Sequence, residues 1–287
     1  MAAEVRRAAV IGTGTMGPGM GAVLARQGIG VTLYDVSAEQ LEKAKAGVGL
    51  AESVLDRLEA PRAGGGSVRY THDLPDALDG VDFVLEAVPE RLELKRKIFA
   101  QLEQAAPADA ILATNSSSYA SRPIVAGLST TERMLNTHFY MPPQKIAVDV
   151  MSCGNTAAEV IDFVMTTYPE YGLRPFLARK ESTGFIYNRI WAAIKREALQ
   201  VVYEGVSTPE DIDAMYSLQT GAPGGPFRSM DRVGLDVVYD IEEHYVAENP
   251  HLPEGPRKVL REYLDAGKLG VKTGEGFYSD YPKPAQG

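Results

Sequence analysis

The stretch Ala8–Gly28, AAVIGTGTMGPGMGAVLARQG, decides the fold that this sequence predicts. Its first residues, Ala8–Ile11, form an apolar run typical of a buried strand, and a helical pattern follows as far as about Gln27. A glycine turn of the form G-x-G-x-x-G lies between the two. A strand, a glycine turn and a helix in this order indicate a helix N-terminus that binds an anion.

Each residue of this turn has a place in the predicted site. Gly12 permits the tight turn, Gly14 lets the backbone approach a pyrophosphate, and Gly17 lets the helix pack closely on the strand. Thr15 and Met16 lie where the free backbone N–H groups of the helix N-terminus are found. We therefore expect all five residues to bind a dinucleotide cofactor.

An acidic residue after the next strand indicates which dinucleotide binds. The apolar run Val31–Tyr34 ends at Asp35, which lies about 20 residues beyond the turn. A carboxylate at this distance accepts hydrogen bonds from the adenine ribose hydroxyls and repels a 2'-phosphate, so NAD is predicted rather than NADP. On the glycine turn alone, FAD and an ordinary loop remain the alternatives.

Composition and charge narrow the classes of protein that fit this chain. Its 287 residues and 31.0 kDa, with 45% hydrophobic and 23% charged residues, suffice for a substantial core and two domains. No apolar stretch reaches the roughly 18 residues of a membrane span and no cleavable signal is evident, so we expect a cytoplasmic protein without membrane contact. The net charge of -9 argues against nucleic acid as the main partner. Cys153 is the only cysteine, so neither an intrachain disulfide nor a metal site is expected.

The order of apolar patterns predicts an α/β fold with a doubly wound, Rossmann-type sheet, followed by helices only. We predict an NAD-binding domain over residues 1–181 and an all-α domain for substrate binding and dimerisation over residues 182–287. Strands are predicted at Ala8–Ile11, Val31–Tyr34, Val68–Tyr70, Phe83–Ala87, Ile111–Thr114, Met134–His138, Ile146–Val150 and Arg174–Ala178. The helix after the glycine turn is predicted to end near Gln27. Further helices are predicted at Ala38–Leu58, Leu92–Ala105 and Thr156–Thr167.

The second domain is predicted from helical patterns alone. The run Gly184–Gly205 has apolar residues on more than one helix face, which indicates burial against other helices or a second chain. Ser207 or Thr208 caps the next helix, and Pro209 occupies its first position. A GAPGGPF loop and a helix over Asp236–His244 follow. The large apolar surfaces predict a homodimer formed through this domain.

Seven segments spread over nearly the whole chain share one resemblance. They are VIGTGTMG, EAVPERLELK, ATNSSS, THFYMPP with IAVDV, TGFIYNR, GGPF and KTGEGFY. Together they are similar to the L-3-hydroxyacyl-CoA dehydrogenase family, which includes 3-hydroxybutyryl-CoA dehydrogenase. This resemblance implies an NAD-dependent oxidoreductase that interconverts a short-chain (S)-3-hydroxyacyl-CoA and the 3-oxoacyl-CoA.

The resemblance also implies catalytic residues. His138 matches the family's catalytic histidine, and an imidazole suits reversible proton transfer near neutral pH. Asp149 stands where the family has a glutamate that orients this histidine, although its side chain is one methylene shorter. Ser117 and Asn188 match residues that contact the substrate oxygen. The alternatives are a structural histidine, a solvated aspartate on an edge strand, a helix cap formed by the serines, and an asparagine bonded only to backbone.

Three further positions are implied to contact the cofactor. Glu90 and Lys95 match residues that contact its ribose and phosphate, and Asn115, at the end of its strand, is expected to face the nicotinamide. For Glu90 and Lys95 the alternative is a charged pair on a solvated helix face.

Two departures from the family pattern concern the substrate. Met141 replaces a polar residue in the segment after the histidine, and the helical region after Asp35 is short. That region, which in the family is rich in lysine and holds CoA phosphates, contains Lys43, Lys45, Arg57 and Arg62. A related 3-hydroxy acid dehydrogenase without CoA therefore remains an alternative, similar to L-gulonate or carnitine dehydrogenases or acting on a secondary-metabolite intermediate. A non-catalytic NAD-binding protein is a further alternative.

Overall fold

The computed structural model describes residues 4–282, which form two compact units divided between Ile186 and Tyr187. The first unit contains one sheet with helices, and the second contains helices. The outer ends of the two predicted domains, residues 1–3 and 283–287, lie outside the described residues.

The first unit is built on an eight-stranded sheet of order β3-β2-β1-β4-β5-β6-β7-β8. Neighbouring strands are parallel except for β6 and β7, which are antiparallel. The strands are β1 (Arg7–Ile11), β2 (Gly30–Tyr34), β3 (Ser67–Thr71), β4 (Phe83–Glu86), β5 (Ile111–Thr114), β6 (Met134–Phe139), β7 (Ala147–Ser152) and β8 (Arg174–Ala178). The helices are α1 (Gly17–Arg26), α2 (Ala38–Arg57), α3 (Leu74–Leu78), α4 (Leu92–Ala105), α5 (Ser121–Ile124) and α6 (Ala158–Glu170).

Both faces of the sheet are covered, as the apolar strand sequences require. In β1, Ala8 and Val10 join the core formed with α1, α2 and α6, whereas Ala9 and Ile11 join the core formed with α3, α4 and α5. Successive side chains of a strand point to opposite faces, so a strand buried on both sides is continuously apolar. The predicted doubly wound α/β sheet is confirmed.

The eight predicted strands are all present, with ends that differ by one or two residues. The short helices α3 and α5 were not predicted, since a single turn of helix has no apolar periodicity to detect. Helix α2 begins as its sequence indicates, because the Ser37 side chain accepts a hydrogen bond from the backbone N–H of Gln40.

The second unit is helical, as predicted, and its helices enclose a core of their own. Thr208 caps the helix Pro209–Thr220 by accepting from the backbone N–H of Asp211, with Pro209 at the first position. Two expectations need correction: a helix begins at Pro226 within the predicted GGPF loop, and the last helix was not predicted. The helices are α7 (Tyr187–Tyr203), α8 (Pro209–Thr220), α9 (Pro226–Val233), α10 (Leu235–Glu248) and α11 (Gly255–Asp265). Between residues 4 and 282, no helix has the length and apolar character needed to cross a membrane.

Candidate active site

The glycine turn has the geometry that its sequence predicts. Gly12 has a φ of 102°, and a side chain there would place Cβ 2.7 Å from the carbonyl oxygen of Ala87. At Gly17, a Cβ would lie 2.5 Å from the carbonyl oxygen of Gly12. Both distances are far shorter than real Cβ contacts, so only glycine lets the turn and α1 pack against β1 and β4.

Gly14 differs from its two neighbours, because a Cβ at this position would meet no described atom within 4 Å. Gly14 and Thr15 are exposed, and Met16, the N-cap of α1, makes no side-chain cap. An open groove of about 560 Å³ lies beside the turn, lined on one side by Thr13–Thr15 and on the other by α2 and residues 141–144. These features fit a dinucleotide, whose pyrophosphate needs close approach to the backbone at a helix N-terminus.

Asp35 follows β2 and is tied to the glycine turn. Its Oδ2 accepts hydrogen bonds from the backbone N–H of Thr13 at 3.0 Å and from the Thr13 hydroxyl at 3.1 Å. Its Oδ1 accepts from the backbone N–H of Ser37 at 3.0 Å. The structure therefore places Asp35 beside the turn, at the carboxyl edge of the sheet where dinucleotides bind in such folds.

His138 and Asp149 lie directly opposite each other on the antiparallel strands β6 and β7. The distance from His138 Nδ1 to Asp149 Oδ2 is 3.4 Å, the long end of the range for a hydrogen bond. His138 is 6% exposed and Asp149 is 2% exposed. Strand β7 lies between β6 and β8, so the alternative of a solvated aspartate on an edge strand is wrong.

The sequence reasoning missed two aromatic neighbours of this pair. The Tyr140 hydroxyl donates a hydrogen bond to Asp149 Oδ2 at 2.5 Å, so this oxygen contacts both His138 and Tyr140. The Phe185 ring stacks on the His138 ring, with centroids 5.3 Å apart and an interplanar angle of 19°. Tyr140 could have been found from its spacing, since residues two apart in an extended segment face the same side.

The serine turn, Ser116–Ser118, follows β5 and is held by one carboxylate. Glu90 Oε1 accepts from the Ser116 hydroxyl at 2.6 Å and from the backbone N–H groups of Ser117 and Ser118 at 3.1 and 2.8 Å. Ser117 itself is exposed. The following helix, α5, has Ala120 as its N-cap and no side-chain cap, so the alternative that the serines cap it is wrong.

Asn115 and Asn136 connect the serine turn to β6. Asn115 Oδ1 accepts from the backbone N–H of Phe139 at 2.8 Å, next to His138 in the chain. Asn136 Nδ2 donates to the carbonyl oxygens of Ser116 and Tyr119 at 3.3 and 3.4 Å. The turn that carries Ser117 and the strand that carries His138 are thus joined by side-chain hydrogen bonds.

Lys95 lies inside the protein, between two carboxylates. It is 1% exposed, and its Nζ lies 2.8 Å from Glu86 Oε1 and 3.2 Å from Glu90 Oε2. The alternative of a solvated helix face is therefore wrong for Lys95, whereas Glu90 is exposed and lies in the segment before α4. Burial tends to raise the pKa of Glu90, but the Lys95 ammonium and the hydrogen bonds from the serine turn outweigh it and lower that pKa.

Two remaining candidates lie apart from these contacts. Asn188 is half-buried in the first turn of α7 and belongs to the second unit. Met141 follows the histidine segment with a φ of 60°, is 52% exposed, and lines the groove beside the glycine turn.

A doubly wound sheet with a glycine turn after its first strand and an acidic residue after its second defines a dinucleotide-binding domain of the dehydrogenase class. Comparison with known families makes this specific. The family model described as 3-hydroxyacyl-CoA dehydrogenase, NAD binding domain, matches residues 7–182, and that of the 3-hydroxyacyl-CoA dehydrogenase C-terminal domain matches residues 184–280. The chain belongs to the 3-hydroxyacyl-CoA dehydrogenase family, and it is an NAD-dependent oxidoreductase.

Individual relatives cover nearly the whole chain. The 5-formyl-3-hydroxy-2-methylpyridine 4-carboxylate 5-dehydrogenase of Mesorhizobium japonicum is 36% identical over 97% of this chain and 92% of its own length. A probable 3-hydroxybutyryl-CoA dehydrogenase of Deinococcus radiodurans is 34% identical over 94% of this chain and 98% of its own. The crystal structure of (S)-3-hydroxybutyryl-CoA dehydrogenase from Ralstonia eutropha matches with a TM-score of 0.87 at 29% identity, covering 98% of this chain and all of that one. The predicted family, fold and cofactor are thereby confirmed.

Proposed function

We propose that the protein interconverts a short-chain (S)-3-hydroxyacyl-CoA and the 3-oxoacyl-CoA, with His138 as the general base. The observation that carries this proposal is the buried pair of His138 and Asp149, opposite each other on β6 and β7. A carboxylate beside Nδ1 favours the tautomer with its proton on that nitrogen, which leaves Nε2 free to accept the substrate's hydroxyl proton. General base catalysis of this kind contributes roughly 10²- to 10⁴-fold in rate.

The other proposed residues act on the oxygen and on the cofactor. NAD, when bound, supplies the hydride acceptor for oxidation and the hydride donor for reduction. The Ser117 hydroxyl stabilises the substrate oxygen as its charge changes. The glycine turn and Asp35 bind the cofactor's pyrophosphate and adenine ribose, and the Asn115 amide contacts its nicotinamide.

A substrate without CoA is the second candidate, and a specific observation favours it. Three of the four cations expected to attract CoA phosphates are paired with carboxylates: Lys43 with Glu39 at 2.6 Å, Lys45 with Glu42 at 2.5 Å, and Arg62 with Glu52 at 2.8 Å. Paired cations attract a phosphate less than free ones do. The similar protein from Mesorhizobium is named for a pyridine carboxylate substrate rather than a CoA thioester, which supports this second candidate.

The substrate test measures NADH oxidation with acetoacetyl-CoA, acetoacetate and oxidised L-gulonate under identical conditions. Turnover with the thioester alone supports the CoA proposal. Turnover with a free acid alone contradicts it and supports the second candidate. The variant Lys43→Ala tests whether this lysine contacts a CoA phosphate, because loss of such a contact raises KM for acetoacetyl-CoA.

A further inference from the structure

Five residues, Glu86, Lys95, Glu90, Ser116 and Thr114, form a closed ring of ion pairs and hydrogen bonds, and we call it the Glu86 ring. Glu86 Oε1 lies 2.8 Å from Lys95 Nζ, which lies 3.2 Å from Glu90 Oε2. Glu90 Oε1 accepts from the Ser116 hydroxyl at 2.6 Å, and the Ser116 N–H donates to the Thr114 hydroxyl at 3.1 Å. The Thr114 hydroxyl donates to Glu86 Oε2 at 2.6 Å, which closes the ring.

The ring lies almost entirely out of solvent. Glu86, Thr114 and Ser116 are 0% exposed and Lys95 is 1% exposed, whereas the Glu90 side chain is 32% exposed. Burying charged groups is unfavourable unless partners compensate, and here the hydrogen bonds and ion pairs among the ring residues supply that compensation and hold the side chains in one geometry. Glu86 also accepts from the backbone N–H of Val88 at 2.7 Å, which fixes the segment between β4 and α4.

The serine turn is attached to this ring through Glu90. Glu90 Oε1 accepts three hydrogen bonds from the turn, and Glu90 is in turn held by Lys95, whose other partners are Glu86 and the Val88 carbonyl oxygen at 3.2 Å. The exposed Ser117 is therefore attached to the buried Glu86 through two intermediate side chains. Asn136 fixes the opposite side of the turn by donating to the carbonyl oxygens of Ser116 and Tyr119.

We propose that Glu86 is a positioning residue that acts through Lys95 and Glu90 to hold the Ser117 hydroxyl where the reaction needs it. This inference rests on the proposed role of Ser117 at the substrate oxygen. It assigns a function to Glu86 that its sequence position, the last residue of an apolar strand, does not suggest. Displacement of a catalytic group by about 1 Å can cost roughly 100-fold in rate, so a positioning residue affects kcat more than binding.

The test is a cycle of kcat measurements with Glu86→Gln, Ser117→Ala and the double variant. If Glu86 acts through Ser117, Glu86→Gln lowers kcat by at least about tenfold in the wild-type background. The same change then causes no further loss in the Ser117→Ala background, because residues that act as a unit are not additive. An equal loss of kcat in both backgrounds, or no loss in either, overturns the inference.

Two variants control for general damage. Glu103→Gln removes a carboxylate that lies on α4 and outside the ring. Glu103 accepts from the backbone N–H groups of Ser129 and Thr130 at 2.7 Å each, and its replacement leaves kcat unchanged. Thr114→Val breaks the ring at a different link while leaving the charges of Glu86 and Lys95 paired. If Glu86→Gln fails to fold, Thr114→Val takes its place in the cycle, with the same expected results.

A second readout separates this inference from the proposed function. Amide hydrogen exchange at Ser117 and Ser118 reports the hold of Glu90 on the turn without requiring turnover. Faster exchange there in Glu86→Gln, with wild-type exchange at Ser129 and Thr130, supports the ring as the positioning device. Unchanged exchange at Ser117 and Ser118 overturns it. If Ser117→Ala alone leaves kcat at the wild-type value, the proposed role of Ser117 fails instead, and the positioning inference, which rests on that role, fails with it.

Discussion

Asp149 has one oxygen that contacts two partners at the candidate site. Its Oδ2 lies 3.4 Å from His138 Nδ1 and accepts the Tyr140 hydroxyl at 2.5 Å. The tyrosine hydrogen bond is the shorter of the two, and in the proposed mechanism Tyr140 holds the carboxylate that orients the imidazole. Strands β6 and β7 place the two residues directly opposite each other, so the shorter side chain of aspartate still comes within 3.4 Å of the imidazole.

Replacing this carboxylate tests the orienting role. We expect Asp149→Asn to lower kcat by roughly 10²- to 10⁴-fold, because an amide cannot stabilise the imidazolium and favours the wrong tautomer. Tyr140→Phe serves as the control, since it removes the second partner and keeps the charge, and its kcat falls less. Steady-state kinetics check both variants, and wild-type kcat in Asp149→Asn would show that the aspartate has no part in the reaction.

Single residues also show where sequence reasoning stops. His138, Asp149 and Ser117 were predicted as site residues because each lies in a short segment with a family resemblance. Glu86 was not predicted as a site residue, because it ends an apolar strand and its partners, Lys95 on α4 and Thr114 on β5, contact it only in the folded chain. A carboxylate at the end of a fully buried strand was the one available signal.

At the scale of elements, the glycine turn combines a packing role and a binding role at different positions. Gly17 is needed for the contact between α1 and the turn, whereas Gly14 faces open space among the described residues. The two glycines therefore separate stability from cofactor affinity, although both belong to one motif.

Alanine at each glycine gives a different expected result. Gly17→Ala lowers the unfolding temperature, because its Cβ would lie 2.5 Å from the Gly12 oxygen. Gly14→Ala leaves that temperature near the wild-type value and weakens NAD binding, since the methyl group occupies the space that the pyrophosphate needs. Gly49→Ala, in α2 with open space around it, is the matched control and stabilises by about 0.5–1 kcal/mol. Thermal unfolding and NAD titration check these results, and unchanged NAD affinity in Gly14→Ala would contradict the assignment.

Strands and helices with a strong apolar pattern in their sequence were predicted well. Helices whose ends depend on contacts with residues distant in sequence were not. The eight strands were found because burial on both faces produces apolar runs bounded by turns. Helix α9 was missed because its first turn overlaps the GGPF segment, which resembles a loop in sequence. The backbone N–H groups of Phe227 and Arg228 in this turn donate to Asp213 on α8. That capping contact joins two elements that are separate in sequence.

At the scale of the whole molecule, the helical unit carries apolar side chains that lie outside its core and are exposed. Ile190 on α7 is 55% exposed, and Met215 and Leu218 on α8 are 60% and 82% exposed. Exposed apolar surface of this kind is typical of a subunit interface. It supports the proposal of a homodimer formed through the second unit.

A charge placed on that surface tests the dimer. We expect Leu218→Glu to shift the protein toward a monomer, because a carboxylate at an apolar interface would be buried without a partner. Leu58→Glu, at a residue of the first unit that is 56% exposed, is the matched control and leaves the mass unchanged. Sedimentation velocity measures both masses, and a wild-type protein that sediments as a monomer would refute the homodimer.

The most direct test of the central claim is His138→Ala, measured both for turnover and for NADH binding with the substrate that the wild type uses. We expect kcat to fall by roughly 10²- to 10⁴-fold, the contribution of a general base, while the NADH dissociation constant stays at the wild-type value. Substantial turnover by His138→Ala, with cofactor binding intact, would contradict the assignment of His138 as the catalytic base.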